Sequence, residues 1–391
     1  MPPDRDAAEI GAGLGRLARR PAVRDALATL GRPGSRHRIP TPALVVDVDA
    51  LGHNIAAAAE RARAAGVGLR PHAKTHKCAA IARRQLAAGA AGVCVAKVGE
   101  AEALAVTGID RLLVTSPVHG GLVGRIADLR AAGADVAVVL DAEDAVGPLA
   151  KAVGPAGGVD VLVDVDVGLH RTGVPDPGTA QRLAGAIAAH PSLRLRGVQG
   201  YGGHWQHIAD PAARRRAVED GMAILAACVD AIERAGHPVE LRTGGGTGTL
   251  AVDCELGLLN DLQPGSYTMM DGQYAAALAA GPPAPWRQAL HVQATVVSAH
   301  HDGFVTVDAG LKAFATDAGP PGAPGSSYSW FGDEHGLLTQ PAGAPPLAVG
   351  DRVELVPPHC DPTVDRYDVV HLARGDVLVD VVPVDARGCS Q

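Results

Sequence analysis

Leu69-Arg70-Pro71-His72-Ala73-Lys74-Thr75-His76-Lys77 gathers two lysines, two histidines and an arginine directly behind a short apolar run. Val67 and Leu69 alternate with small residues as a buried strand does, and Cys78-Ala79-Ala80-Ile81-Ala82 opens a helix. The polar cluster therefore stands at a strand-to-helix junction. Strand phase carried through the junction points His72 and Lys74 the same way. A lysine at such a mouth, near other cations and partly desolvated, is expected to have a lowered pKa and to condense with a carbonyl cofactor. The plainer alternative is a solvated basic surface, since charge runs beside loops usually are one.

Working outward, the same beat of apolar strand, loop and Ala/Arg/Glu-rich helix repeats. Strands are expected near 67–71, 92–95, 111–115, 135–140, 159–165, 194–200, 239–242 and 262–267. Eight alternations predict a closed (β/α)8 TIM-type barrel, an α/β fold, over residues 39–285. A strand at about 41–48 precedes them and is expected to join the second domain, with Asp49 capping the helix that follows. Residues 1–38 read as a helical arm broken at Gly31-Arg32-Pro33-Gly34-Ser35. After Trp286 the helices vanish, and strands at 291–299, 304–308, 352–356, 368–372 and 377–382 predict a mainly β domain over 286–391. Within it, residues 317–346 read as a Gly/Pro/Ser-rich loop, either a lid or partner contact or a disordered segment.

Composition excludes several classes. The chain has 391 residues, 47% hydrophobic and 20% charged, with a formal net charge of -7, which leaves no basic surplus for nucleic acid. No apolar run approaches the ~20 residues of a membrane span, and the first residues lack the apolar core of a signal peptide. The expectation is a cytoplasmic protein with no membrane partner. Its six cysteines are scattered without C-x-x-C, which argues against a disulfide framework or a structural zinc knot.

A barrel collects its chemistry at the carboxyl ends of its strands. After the fifth expected strand, Asp164 and Asp166 run into Gly168-Leu169-His170-Arg171-Thr172-Gly173. Arg171 has two readings: an ion pair with Asp164 or Asp166, or a permanently charged donor to the ring nitrogen of a pyridine cofactor. After the sixth come Tyr201, His204 and His207, of which His207 is a candidate general base. After the seventh, Thr243-Gly244-Gly245-Gly246-Thr247-Gly248-Thr249 is neither a Walker loop nor a dinucleotide fingerprint. Its backbone N–H groups can approach a phosphate, and a following helix would add a favourable dipole. Near the end, His359-Cys360-Asp361 lies between prolines; in an extended segment His359 and Asp361 share a face and offer a divalent cation one imidazole and one carboxylate.

Together these pieces resemble the fold-type III pyridoxal-phosphate enzymes of the alanine racemase architecture, and within them the D-threonine aldolase and eukaryotic-type D-serine dehydratase branch. The likeness runs from about Thr41 to the C-terminus and rests on R-P-H-x-K-T-H-K, G-x-x-R-x-G, the Tyr201 to His207 segment, the triple-glycine loop and the terminal His-x-Asp. It implies that Lys74 carries pyridoxal 5'-phosphate, with Lys77 the runner-up. Arg171 would meet the pyridine nitrogen. The backbone of Gly244, Gly245, Gly246 and Thr247, with Tyr201 nearby, would hold the phosphate. His359 and Asp361 would bind a divalent metal, manganese, magnesium or a similar ion rather than zinc. In the dehydratase relatives the Asp361 position is a cysteine and the metal zinc; here the cysteine stands one residue earlier, which favours the aldolase. The implied activity is retro-aldol cleavage of D-threonine or related D-3-hydroxy-α-amino acids to glycine and an aldehyde, by a homodimer. The alternatives are a D-serine or 3-hydroxy-D-aspartate dehydratase and a non-catalytic pyridoxal-phosphate-binding protein.

Overall fold

Alternation with a period of two decides which way each barrel side chain faces. The structure, a computed structural model, describes residues 14–391; the first part of the expected N-terminal arm, residues 1–13, lies outside the described residues. Its first nine strands are β1 (Ala43–Asp47), β2 (Gly68–Leu69), β3 (Val93–Val95), β4 (Arg111–Val114), β5 (Asp135–Leu140), β6 (Val159–Val165), β7 (Leu193–Gly200), β8 (Leu241–Gly244) and β9 (Asp261–Leu262). In β6, Val159, Val161, Val163 and Val165 join the apolar layer beneath the helices, whereas Leu162 packs inside with Cys94, Leu113 and Val139 of β3, β4 and β5. Each such buried Val or Leu stabilises the fold by about 1.5–3 kcal/mol. Asp164 is the next inward residue of β6, so the same alternation that builds the core places a carboxylate at the cavity floor.

β2 to β9 are parallel in the order β2-β9-β8-β7-β6-β5-β4-β3. Closure comes from Ala91 N–H donating to Leu69 O at 2.8 Å and Cys94 N–H to Pro71 O at 2.9 Å. The TIM-type barrel expected from the sequence is therefore present. Two of its strands differ from expectation. β8 runs to Gly244, so the glycine-rich run begins inside the sheet, and β9 ends at Leu262, where Pro264 offers no N–H to a ladder. The helix Val48–Ala64 is capped by Asp47, not Asp49: the Asp47 carboxylate accepts from Asp49 N–H at 2.9 Å and Ala50 N–H at 2.8 Å.

The second unit contains β10 (Leu290–Ser298), β11 (Val305–Val307), β12 (Ser327–Trp330), β13 (Gly336–Thr339), β14 (Arg352–Leu355), β15 (Val369–Arg374) and β16 (Val377–Pro383). With β1 they form a sheet of order β12-β13-β11-β10-β1-β15-β16, β14 also pairing with β10. β1 is antiparallel to β10 and parallel to β15, so the chain begins in this sheet, builds the barrel and returns. The stretch 317–346 is not the structureless loop the sequence suggested: β12 and β13 pair within it from Ser327↔Thr339 to Trp330↔Gly336. Tyr328 points inward and donates its hydroxyl to Ala309 O at 2.7 Å, a strand alternation masked by the flanking Gly and Pro. Among the described residues no helix is long and apolar enough to cross a membrane.

Candidate active site

A cavity of about 720 Å³ opens at the carboxyl ends of the barrel strands, lined among others by His72, Lys74, Arg171, Gln199 and Tyr201. Lys74 sits in a short 3-10 turn, Ala73–Thr75, started by His72, whose Nδ1 accepts from Lys74 N–H at 3.4 Å. The Lys74 Nζ donates to Asp361 Oδ2, a contact between residues 287 positions apart and from the two domains. Lys77, three residues on, turns away with φ +49: its Nζ lies 2.7 Å from Asp365 Oδ1 and 3.6 Å from Glu100 Oε1, all outside the cavity lining.

The charge state of Lys74 differs from expectation. Burial is the largest single effect and works against its charge, but the Asp361 carboxylate, joined by Tyr201 and Cys360, outweighs it and raises the lysine pKa above its ordinary value. Of the cations expected to lower it, the two histidines are uncharged, burial holding His72 at about 3 and His76 at about 4, while Arg70 and Lys77 are ion-paired with Asp261 and with Asp365 and Glu100. Asp361 is correspondingly held below the usual carboxylate range, burial opposing the shift and Lys74 dominating it.

Arg171 makes no ion pair among the described residues. Its guanidinium carbon lies 5.7 Å from the centre of the Tyr201 ring, while Asp164 is taken by Thr172 Oγ1 at 2.9 Å and Gln199 Nε2 at 2.8 Å. Asp166 instead accepts from Gly168 N–H and from His170. Burial raises Asp164 to about 6, against the bonds from Gln199 and Thr172. Gln199 Oε1 accepts from Gln263 Nε2 at 3.2 Å, and the same Nε2 lies 2.9 Å from Thr243 Oγ1. This polar layer was not legible in the sequence.

His207 has an open edge to solvent, but its ring lies against Tyr274, with centroids 4.6 Å apart. Burial pushes its pKa below the histidine range; Asp271 and Asp361 oppose the shift, and His359 and Lys74 add to it. His204 is exposed and rests on the Trp205 ring, away from this cluster. Asp271, missed in the sequence, caps the helix Gly272–Leu278 through Tyr274 N–H at 2.8 Å. Its other oxygen accepts from Cys360 N–H at 2.7 Å, which ties the barrel to the second domain.

The His359 segment is not extended. Cys360–Val364 is a short helix with His359 at its N-cap, because Asp271 holds Cys360 N–H and Thr363 Oγ1 donates to His359 O at 2.7 Å. His359 Nδ1 lies 2.6 Å from Asp317 Oδ2, an arrangement that leaves Nε2 to a ligand. Among the described residues no group of three or more His, Cys, Asp or Glu side chains is placed to hold a metal ion. The donors fit a cation that takes one imidazole and one carboxylate and leaves its other positions open.

The glycine-rich loop is supported from below. Gly246 N–H donates to Thr249 Oγ1 at 3.2 Å and Gly248 N–H to Gln206 Oε1 at 3.0 Å, so these two amides are already engaged. A Cβ at Gly248 would stand 2.1 Å from Gln206 O and one at Gly244 2.0 Å from Gly200 O, so close backbone contact alone requires glycine there. The Thr247 hydroxyl accepts from Tyr267 N–H at 3.0 Å. The helix that follows, Leu250–Leu256, has seven residues, too short for the dipole contribution the sequence suggested. Gly244, Gly245, Gly246 and Thr247 are all buried, and none of them is among the residues that line the cavity around Lys74.

The alanine racemase N-terminal domain family matches residues 46–272, and the serine dehydratase domain family matches residues 289–373. D-threonine aldolase of Arthrobacter sp is 37% identical over 362 residues, covering 90% of this chain and 94% of that protein. 3-hydroxy-D-aspartate aldolase of Paracoccus denitrificans is 36% identical, covering 90% of this chain and 92% of that protein. The crystal structure of D-threonine aldolase from Filomicrobium marinum superposes with a TM-score of 0.87 at 38% identity, over 91% of this chain and 97% of that one.

Proposed function

Because the chain belongs to the alanine racemase-like family, in the branch of the D-threonine aldolases, we propose that it cleaves D-threonine or related D-3-hydroxy-α-amino acids to glycine and an aldehyde, using pyridoxal 5'-phosphate and a divalent metal. The observation that carries this reading is the meeting of Lys74 and Asp361 across the domain boundary, at the mouth of a cavity that also presents Arg171 and Tyr201. In this reading Lys74 holds the cofactor aldehyde, Arg171 faces its pyridine nitrogen, and the Gly244–Thr247 loop with Tyr201 takes its phosphate. His359 and Asp361 hold the metal. When bound, the cofactor ring accepts the electron pair of the broken Cα–Cβ bond, and the metal lowers the pKa of the substrate hydroxyl.

The chain's own residues supply the rest. Asp361, in holding a cation, would be drawn away from Lys74; burial, the largest effect on the lysine, would then favour its neutral, nucleophilic form against the smaller effects of Tyr201 and Cys360. His207, neutral near pH 7 because its pKa is lowered, takes the β-hydroxyl proton at its ring nitrogen. Lys74 over Lys77 is supported by the second lysine's engagement with Asp365 and Glu100.

The dehydratase reading draws on the match of the second domain to a serine dehydratase family. Against it stands Cys360, fully buried and bonded through Sγ to Asp361 Oδ1 at 3.3 Å, with a carboxylate where the dehydratase pattern has its thiolate. Incubation with D-threonine, D-serine and D-phenylserine, with Mn²⁺ or Mg²⁺ added or chelated, tests the choice. Glycine and aldehyde formed only with metal are expected; ammonia and a keto acid would establish the dehydratase, and an intact substrate the non-catalytic binder. The same reading takes the protein as a cytoplasmic homodimer, for which light scattering gives the mass.

A further inference from the structure

Beneath the glycine-rich loop lies a buried acid that the reaction does not use. Asp253 is 2% exposed, and its Oδ2 accepts from Thr249 Oγ1 at 2.7 Å. Thr249 Oγ1 in turn accepts from Gly246 N–H at 3.2 Å and Gln206 Nε2 at 3.1 Å, so one hydroxyl joins the loop backbone to the carboxyl. Asp253 Oδ1 is buried without a hydrogen-bond partner. The carboxyl also presses on the loop directly: a Cβ at Gly245, where φ is +70, would lie 2.4 Å from Asp253 Oδ2. An anion received on the outer side of the loop is therefore separated from a second negative charge by little more than one layer of backbone, in surroundings that screen poorly.

We propose that Asp253 is a positioning residue for the phosphate loop that works by proton uptake: its carboxyl is neutral whenever a phosphate monoester occupies the loop, so that binding takes up one proton and weakens as the pH rises. The inference rests on the phosphate assignment made above. Burial already holds the Asp253 carboxyl at about 7 with the loop unliganded, against the bonds from Thr249 and the Gly246 backbone, and a nearby anion raises it further. Among the described residues no charged side chain acts on the Asp253 carboxyl itself; the titratable and charged groups beyond it are Cys254, which feels it, Glu255 and Arg61, which act on Cys254, Arg215, which pairs with Glu255, and Tyr267 beside Thr247. Arg215 is taken by Glu255 and Tyr267 receives a bond from Gln85, so neither neutralises the buried acid. The sign runs opposite to that of the ligand, because a phosphate monoester gains charge, and with it loop affinity, as the pH rises through its own pKa of about 6.

The test uses the full chain freed of cofactor and pyridoxine 5'-phosphate, which has no aldehyde for Lys74. The dissociation constant is measured from pH 7 to 9.5 for wild type and Asp253→Asn. Wild type is expected to weaken by up to about tenfold per pH unit above pH 7, and Asp253→Asn to be nearly flat. Should the variant fail to fold, calorimetry of the wild type at pH 8 in two buffers of different ionisation enthalpy must show uptake approaching one proton. Parallel pH curves for the two proteins, or no proton uptake, overturn the proposal while leaving the phosphate assignment intact. If pyridoxine without phosphate binds as tightly as its phosphate ester, the phosphate assignment fails first and this inference with it.

Discussion

Replacing Lys74 and Lys77 one at a time should separate chemistry from architecture within three residues. Lys77 is 8% exposed at its side chain, with Glu100 at 5% and Asp365 at 32%. Breaking a buried ion pair by removing one partner costs about 3–5 kcal/mol, and the partial hydration of Asp365 puts Lys77→Met at the low end, about 3 kcal/mol. With an unfolding entropy of ~2.1 cal/mol/K per residue, a chain of 391 residues loses ~4 °C in Tm. Burial already raises the Glu100 pKa, so the orphaned carboxyl can take a proton, and the loss should grow as the pH is raised. Lys74→Ala orphans Asp361, whose side chain is 13% exposed, and should likewise cost about 3 kcal/mol, so that absorbance and turnover rather than Tm separate the two lysines. It should abolish the visible absorbance of lysine-bound cofactor and all glycine release, whereas Lys77→Met keeps both. Paired thermal scans and absorbance spectra give the answer. An unchanged Tm in Lys77→Met refutes the ion-pair argument, and absorbance surviving in Lys74→Ala but lost in Lys77→Met reverses the assignment.

His207→Asn should lower kcat by roughly 10²–10⁴-fold with cofactor absorbance retained, and the acid limb of the wild-type kcat profile should lie below the ordinary histidine range; a variant with the wild-type rate removes His207 from proton transfer. His371, held at about 4 by burial against 6.5 when unfolded, stays neutral in the fold while the unfolded chain takes up a proton. Its stability contribution is complete above pH 6.5 and is lost as the pH falls toward 4, so wild type should lose about 1.4 kcal/mol per pH unit more than His371→Gln in urea titrations; parallel curves would contradict this. Gly248→Ala, whose Cβ would meet Gln206 O at 2.1 Å, should shift the loop at a cost of about 1–3 kcal/mol and weaken cofactor binding about tenfold or more; unaltered affinity would show that the loop does not hold the phosphate.

What the sequence determined by itself is the part of the fold set by local alternation. Val161-Leu162-Val163-Asp164 carries its inside and outside in its own period, and the beat of strand and helix around it leaves the barrel as the architecture. Where turn chemistry interrupts the pattern, as around β12 and β13, the strands were hidden, because their partners are chosen by pairing across the sheet. The candidate site was legible as residue types and invisible as contacts. Two lysines three residues apart are equivalent in a string of letters; one faces Asp361 and the other Asp365 only because the second domain folds back over the barrel mouth. Charge states followed the same division: burial and partner distance fix the protonation of His72, Lys74 and Asp253, and both quantities arise only when separate segments, Asp361 over Lys74 being the most distant in sequence, exclude water together.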